Sequence, residues 1–230
     1  MIVRFFATVG ILCVALVACN KSETAPNVAA ETPVPEVVPT APEMAPTPAP
    51  EPEAPPNPAE SREWVAGEFF GAIKEDTTEA DVKRIYGAAN VKKGKQYLGE
   101  GEEINALIVY GGTADEFTVV QAEGSKRITI VGKNWRSPEG IHIGTTLAEL
   151  AKINGKPVTF YGFEWDYGGT IGGWNGGKLR GLEDHALLRL EEPAVGYEES
   201  IQGDREFTTD DPAAKRLAPK AKLAEIVLTF

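Results

Sequence analysis

Two stretches of similar sequence decide the fold: TTLAELAKING at residues 145–155 and TTEADVKRIYG at residues 77–87. Aligned at an offset of 68 residues, they share five identical and three chemically similar positions. In each stretch a threonine precedes an acidic residue of the first turn and a glycine closes the run, which predicts a short capped helix. The repetition predicts a duplicated unit, with chance similarity between two capped helices as the alternative.

Alternating apolar residues after each helix predict strands. Those after the first helix are Ile104 to Tyr110, Phe117 to Val119 and Ile128 to Ile130; those after the second lie within 158–165, 168–177, 186–190 and 224–230. The prediction is an α+β fold of two tandem repeats, each a short helix and an antiparallel sheet of three or four strands. Repeat 1 covers about 67–136 and repeat 2 about 137–230, with a surface-loop insertion at about 191–217.

The second copy also resembles a known family. Ile143-Gly144-Thr145-Thr146, Leu150 and Asn154-Gly155-Lys156-Pro157 resemble the unit of the BamE/SmpA lipoproteins, and a weaker copy spans 73–87. The tandem arrangement is similar to that of the beta-lactamase inhibitor proteins, whereas BamE-type proteins have a single unit. The resemblance implies non-enzymatic protein recognition through the sheet and its loops.

The amino terminus has the pattern of a bacterial lipoprotein. Residues 1–18 combine one basic residue with a short apolar run, which predicts a signal peptide. Leu16-Val17-Ala18-Cys19 resembles a lipobox, so we expect diacylated Cys19 to anchor the protein in a lipid bilayer. The alternative is an ordinary secretory signal. Asn20, rather than aspartate, favours by analogy the periplasmic face of the outer membrane.

A spacer is predicted between the anchor and the domain. Residues 21–60 contain 12 of the 17 prolines and neither glycine nor an aromatic residue. Such a composition favours extended, unpacked chain. We therefore expect residues 19–60 to be a disordered tether for a single α+β domain at 61–230.

Charge and composition exclude several functions. The net charge of −11 and the lack of a basic cluster argue against nucleic-acid binding. No metal site or cofactor is expected, since the two histidines, His142 and His185, are isolated and the acidic run at 204–211 lacks EF-hand spacing. Glu164 and Asp166 are spaced to share one strand face, as a catalytic carboxylate pair would be, but such pairs are common in acidic strands. The sequence therefore predicts no enzyme.

The densest candidate site is residues 163–177, FEWDYGGTIGGWNGG. Trp165, Tyr167 and Trp174 could stack on a ligand while Asp166 and Asn175 bind it through hydrogen bonds. Alternatively, the glycines and Asn175-Gly176 form turns and the aromatic residues fill the sheet face. The leading hypothesis is a lipid-anchored module that binds another envelope protein, and the alternative is a module that binds glycan or peptidoglycan.

Overall fold

The computed structural model describes residues 60–99, 102–122, 124–192 and 199–230. The signal peptide predicted for residues 1–18, the lipidation site Cys19 and the predicted spacer up to residue 59 lie outside the described residues. Within the described ranges, no helix has the length and apolar character needed to cross a membrane.

Helices and strands are mixed along the described chain. The α-helices are α1 (Glu79–Tyr86), α2 (Leu147–Asn154) and α3 (Pro212–Leu217). The strands are β1 (Trp64–Val65), β2 (Phe69–Phe70), β3 (Val91–Gly99), β4 (Glu102–Val109), β5 (Phe117–Ala122), β6 (Ser125–Ile130), β7 (Thr159–Tyr161), β8 (Ile171–Gly173), β9 (Ala186–Leu190), β10 (Glu206–Thr208) and β11 (Leu223–Thr229). All the strand pairs are antiparallel, which agrees with the α+β class.

The main sheet has six strands in the order β3-β4-β5-β6-β11-β9. A second sheet has the order β10-β7-β8, and β1 pairs with β2. The last strand, β11, lies inside the large sheet, where Ile226 is opposite both Ile130 of β6 and Leu188 of β9. The carboxyl-terminal strand therefore joins the edge strand β9 to the rest of this sheet.

The two predicted helix starts are confirmed at the level of hydrogen bonds. The Thr78 hydroxyl accepts from the backbone N–H of Asp81, whose carboxylate accepts from the backbone N–H of Thr78. Thr146 and Glu149 form the same capping box at α2. Each box satisfies backbone donors that a helix start otherwise leaves unpaired, which fixes where the helix begins.

The capping carboxylates make stability sensitive to acid. Hydrogen bonds from Arg84 and then Thr78 hold the pKa of Asp81 well below its usual range, and those from Thr146 lower the pKa of Glu149. A carboxyl group with a lowered folded-state pKa stabilises the fold above its ordinary pKa, and this contribution is lost as the pH falls. We expect the melting temperature, followed by circular dichroism, to fall less steeply between about pH 6 and pH 3 in Asp81→Asn/Glu149→Gln than in the wild type. Equal slopes would contradict this assignment.

The strand predicted from Ile104 to Tyr110 is confirmed as β4, and its core-facing side is the set of residues between those that alternate. Leu107 and Val109 belong to the hydrophobic core, whereas Ile104 and Ile108 are half-exposed on the opposite face. The reason is the register with β5, which places Leu107 and Val109 opposite the core residues Val119 and Phe117. The side chain at each strand position alternates between faces, so the partner strand decides which set is buried.

The predicted surface loop at 191–217 is wrong for residues 199–217, the larger of its two described parts. This part contributes β10, which pairs with β7, and α3, which buries Ala214 and Leu217. Pro212 occupies the first turn of α3, where its missing N–H costs nothing. A few apolar residues are enough to hold this segment in regular structure, because it packs on a core that the rest of the domain forms.

Candidate functional site

Trp174, one of the three predicted stacking residues, is part of the core. Its side chain is 2% exposed. Its carbonyl oxygen accepts a hydrogen bond of 2.8 Å from Nδ2 of Asn154, itself buried at the end of α2. Trp174 therefore offers no ring face to a ligand, and its predicted stacking role is wrong.

Asn175 lies in a tight turn that follows β8. Its φ of 50° and the φ of 68° at Gly176 are both left-handed, and the N–H of Gly177 donates to the carbonyl of Trp174 over 2.9 Å. Asn-Gly is the pair that favours this geometry. The Asn175 amide donates to the Pro157 carbonyl and the Thr159 hydroxyl, so its hydrogen bonds link the turn to the start of β7.

The remaining aromatic residues of the run form a small surface patch, defined here as Tyr161, Trp165 and Tyr167. The rings of Trp165 and Tyr167 meet edge to face at 5.3 Å, and Tyr167 is 52% exposed. The indole N–H of Trp165 donates to the Gly162 carbonyl, which fixes the ring. Asp166 is exposed beside this patch.

Glu164 and Asp166 do not share a strand face. Strand β7 ends at Tyr161, and Glu164 has a left-handed φ of 66°. Its carboxylate accepts a hydrogen bond of 2.9 Å from Gln202. The run from 164 to 169 forms turns, so the strand geometry assumed for this pair is wrong.

A larger feature lies where two hairpins of the main sheet separate. The ladder between β4 and β5 ends at the pair Leu107 and Val119. Beyond it, β4 remains paired with β3 as far as Glu102, and β5 remains paired with β6 as far as Ala122. The tips of the β3–β4 and β5–β6 hairpins are therefore split apart within one sheet.

A side-chain contact shows how far the first hairpin bends. Nε2 of Gln96 on β3 donates to Oγ1 of Thr129 on β6. In a flat sheet these strands would be three spacings, or about 14 Å, apart, too far for the two side chains to meet. The β3–β4 tip must therefore curl over the sheet face that the helices do not cover, where Val120 and Thr129 are buried.

On the other face this separation opens a cleft of about 710 Å³, called here the interhairpin cleft. Its apolar lining includes Val82 of α1, Leu107 of β4 and Val119 of β5. Its polar lining includes Gln121, Lys126 and the loop 75–78 before α1. Such a mixed, concave surface is typical of a binding site.

Lys126 fixes one wall of the interhairpin cleft. It is 1% exposed, and its ammonium donates to the carbonyls of Lys74, at 2.8 Å, and of Glu75. Burial lowers the pKa of Lys126, and the charges of Asp76 and Glu75 oppose that shift. These hydrogen bonds tie the loop before α1 to the β5–β6 hairpin, so the cleft has a preformed wall.

The charges around the cleft are unevenly placed. Exposed Glu75 and Asp76 line it, and exposed Glu102 and Glu103 continue along β4 from the cleft residues Asn105 and Ala106. Among the described residues, none of these four carboxylates forms an ion pair. The outer strand of the same hairpin, β3, carries lysines at positions 92, 93 and 95. Of these, Lys93 also lines the cleft, where its ammonium lies 3.7 Å from the carboxylate of Glu79. The open side of β4 is therefore acidic.

The cleft is not apparent from the sequence. Its residues are scattered over 75–126 and share no motif. The one available signal was the run EEIN at 102–105, which places two glutamates at the start of a strand. The splitting of the hairpins depends on tertiary packing, which local patterns do not report.

Comparisons with known proteins were made by sequence and by structure. No protein-family model and no curated protein matches the chain. The chain is similar to the crystal structure of the uncharacterized protein yfeY from Escherichia coli, with 14% identity and a TM-score of 0.41, over 71% of this chain and 94% of that chain. The resemblance to BamE/SmpA and beta-lactamase inhibitor proteins stays a prediction from the motifs.

Proposed function

We propose that this chain is a lipid-anchored, non-catalytic module of the bacterial cell envelope that binds another envelope protein in the interhairpin cleft. The anchor is Cys19, at the periplasmic face of the outer membrane, and residues 20–60 are the tether. The observation that carries the binding role is the split between β4 and β5, which leaves strand edges beside an apolar floor.

Unpaired strand edges favour a protein partner over a small molecule. The backbone of β4 from 102 to 106 pairs on one side with β3 and has no ladder partner on the other among the described residues. Backbone N–H and C=O groups at such an edge pair readily with another extended chain. Addition of a strand to an open sheet edge is a common mode of peptide recognition.

We also propose that the domain is a duplication of one α+β unit. The N–H of Lys74 donates to the hydroxyl of Thr77, and the N–H of His142 donates to that of Thr145, at positions separated by the same 68 residues as the sequence match. Pairing of β6 with β11, the last strand of each copy, supports this relationship.

The binding role is tested by site-specific photo-cross-linking of the full chain in its native envelope. A photoreactive amino acid is placed at Gln121, in the cleft, or at Arg180, an exposed control outside it. We expect one discrete adduct from position 121, with the cross-linked partner peptide identified by mass spectrometry, and none from position 180. Repeated absence of an adduct at 121, or the same adducts at both positions, would contradict the proposal.

The second candidate function is glycan binding by the aromatic patch, favoured by the exposed ring of Tyr167 beside Trp165. If this function is correct, Tyr167→Ala should reduce cosedimentation of the full chain with purified peptidoglycan by about tenfold, since stacking on one ring contributes on the order of 1 kcal/mol or more. The matched control is Tyr97→Ala, an exposed tyrosine on β3. Unchanged cosedimentation of Tyr167→Ala would exclude this function.

A further inference from the structure

We infer that the segment held in the interhairpin cleft is an extended peptide strand bearing lysine or arginine, which pairs with the open edge of β4. This inference rests on the proposed function and specifies the chemistry of the partner. It depends on the backbone geometry of β4, the charges beside it and the differences between this edge and the other edges of the main sheet.

The open edge of β4 is long enough to hold a strand. Residues 102–106 lie beyond the last β4–β5 pair. Five residues of strand span about 17 Å, the length of a typical short strand. The opposing edge of β5 extends only from 120 to 122, so β4 offers the longer ladder.

The charges favour a basic partner. Glu102 and Glu103 lie on the open part of β4, while Glu75 and Asp76 lie on the opposite wall of the cleft. The two lysines of the lining already have partners: Lys93 pairs with Glu79, and the ammonium of Lys126 donates to backbone carbonyls. A cationic side chain on an inserted strand meets these carboxylates from either side, and an acidic one is repelled. The apolar floor at Val82, Leu107 and Val119 suits the alternate side chains that point inwards.

The outer edges of the main sheet are less suitable for this role. The β3 edge carries lysines 92, 93 and 95, and charged residues of this kind discourage strand pairing. The β9 edge is covered by the small sheet, since the N–H of Leu190 donates to the carbonyl of Gly169 and Thr170 bridges to Arg189. Among the described parts of the sheet, the open part of β4 is thus an edge that carries no lysine of its own and that no second sheet covers.

The test measures fluorescence polarisation of labelled peptides with the full chain. Four nine-residue probes are used: alternating valine and lysine, the same peptide with glutamate for lysine, and two forms of the lysine peptide N-methylated at alternate backbone nitrogens, one for each register. We expect saturable binding of the lysine peptide, with at least about tenfold weaker binding of the glutamate peptide because like charges repel. At least one methylated register should also lose binding, because methylation removes backbone donors.

Charge-reversed variants locate the site. Glu102→Lys/Glu103→Lys and, separately, Glu75→Lys/Asp76→Lys should each weaken binding of the lysine peptide by about tenfold or more. Glu183→Lys/Asp184→Lys makes the same change of charge at an exposed pair outside the cleft and should leave binding within about twofold of the wild type. Circular dichroism confirms that each variant is folded.

The inference is overturned if the lysine peptide does not bind, if the glutamate peptide binds equally well, or if the control pair weakens binding as much as the cleft pairs. Self-association in sedimentation that is abolished by the same reversals, without peptide binding, would identify a second copy as the occupant and also overturn it. An adduct at position 121 that persists unchanged in both reversed variants would support the proposed function while rejecting this inference.

Discussion

Deletion of residues 222–230 is expected to abolish folding of the domain. Strand β11 lies between β6 and β9, and its side chains Leu223, Ile226 and Leu228 are at most 1% exposed. Loss of each large core side chain costs about 2–5 kcal/mol. The summed loss for the three side chains is comparable to the whole free energy of unfolding of an ordinary domain, about 5–15 kcal/mol, even without the lost hydrogen bonds between strands.

The measurement is urea denaturation of the full chain and the truncated chain, followed by tryptophan fluorescence. The truncated chain should show no cooperative transition, because β9 and β6 lose the strand that joins them. Removal of Phe230 alone is the control, since it takes away the two backbone hydrogen bonds to Lys126 and one half-buried side chain but leaves all of β11 in place. A cooperative transition with an unchanged midpoint after the nine-residue deletion would refute the strand's central role.

Replacement of Asn154 by alanine is expected to destabilise the domain by about 3–5 kcal/mol, because it leaves two or more buried polar groups without partners. Its Nδ2 donates to the carbonyl of Trp174, and its Oδ1 accepts from the N–H of Leu179 over 3.1 Å. The side chain is 1% exposed, and a Cβ added at Gly177 would collide with its Oδ1. The surrounding backbone is closed around this amide, so water has little room to replace it.

Asn90→Ala provides the matched control for that measurement. Asn90 also donates its side-chain amide to a backbone carbonyl, that of Tyr86 at the end of α1, over 2.9 Å, but it is exposed. Water can replace this hydrogen bond, so we expect a loss of about 1 kcal/mol or less. Chemical denaturation of both variants gives the comparison, and equal losses would show that the buried network around Asn154 is not the cause.

Local sequence signals predicted the parts of the fold that depend on neighbouring residues. Thr78 with Asp81 and Thr146 with Glu149 are three positions apart, so their hydrogen bonds form within one helical turn. The positions of β4, β6 and β9 were likewise indicated by alternation. The core-facing side of β4 was not, because it depends on a register with β5 that no single strand encodes.

The candidate site was harder to predict because its properties are tertiary. The residues next to Trp174 in the sequence do not show whether its ring is buried or exposed. The fold buries the side chain, and the backbone carbonyl of Trp174 accepts a hydrogen bond from Asn154. Lys126 looked like an ordinary charged strand residue, although its ammonium is buried against the carbonyls of the loop before α1. The cleft forms where the pairing of β4 with β5 stops, and residue types alone do not indicate where strand pairing stops.

The most direct test of the central claim is hydrogen–deuterium exchange at the interhairpin cleft. The full chain is compared alone and with the partner recovered by cross-linking at Gln121. Binding at the cleft should slow amide exchange in 102–107 and 118–122, while peptides covering the distant turn 180–184 exchange at unchanged rates. Protection confined to other surfaces, such as the aromatic patch, with no change in these two strands would contradict the claim.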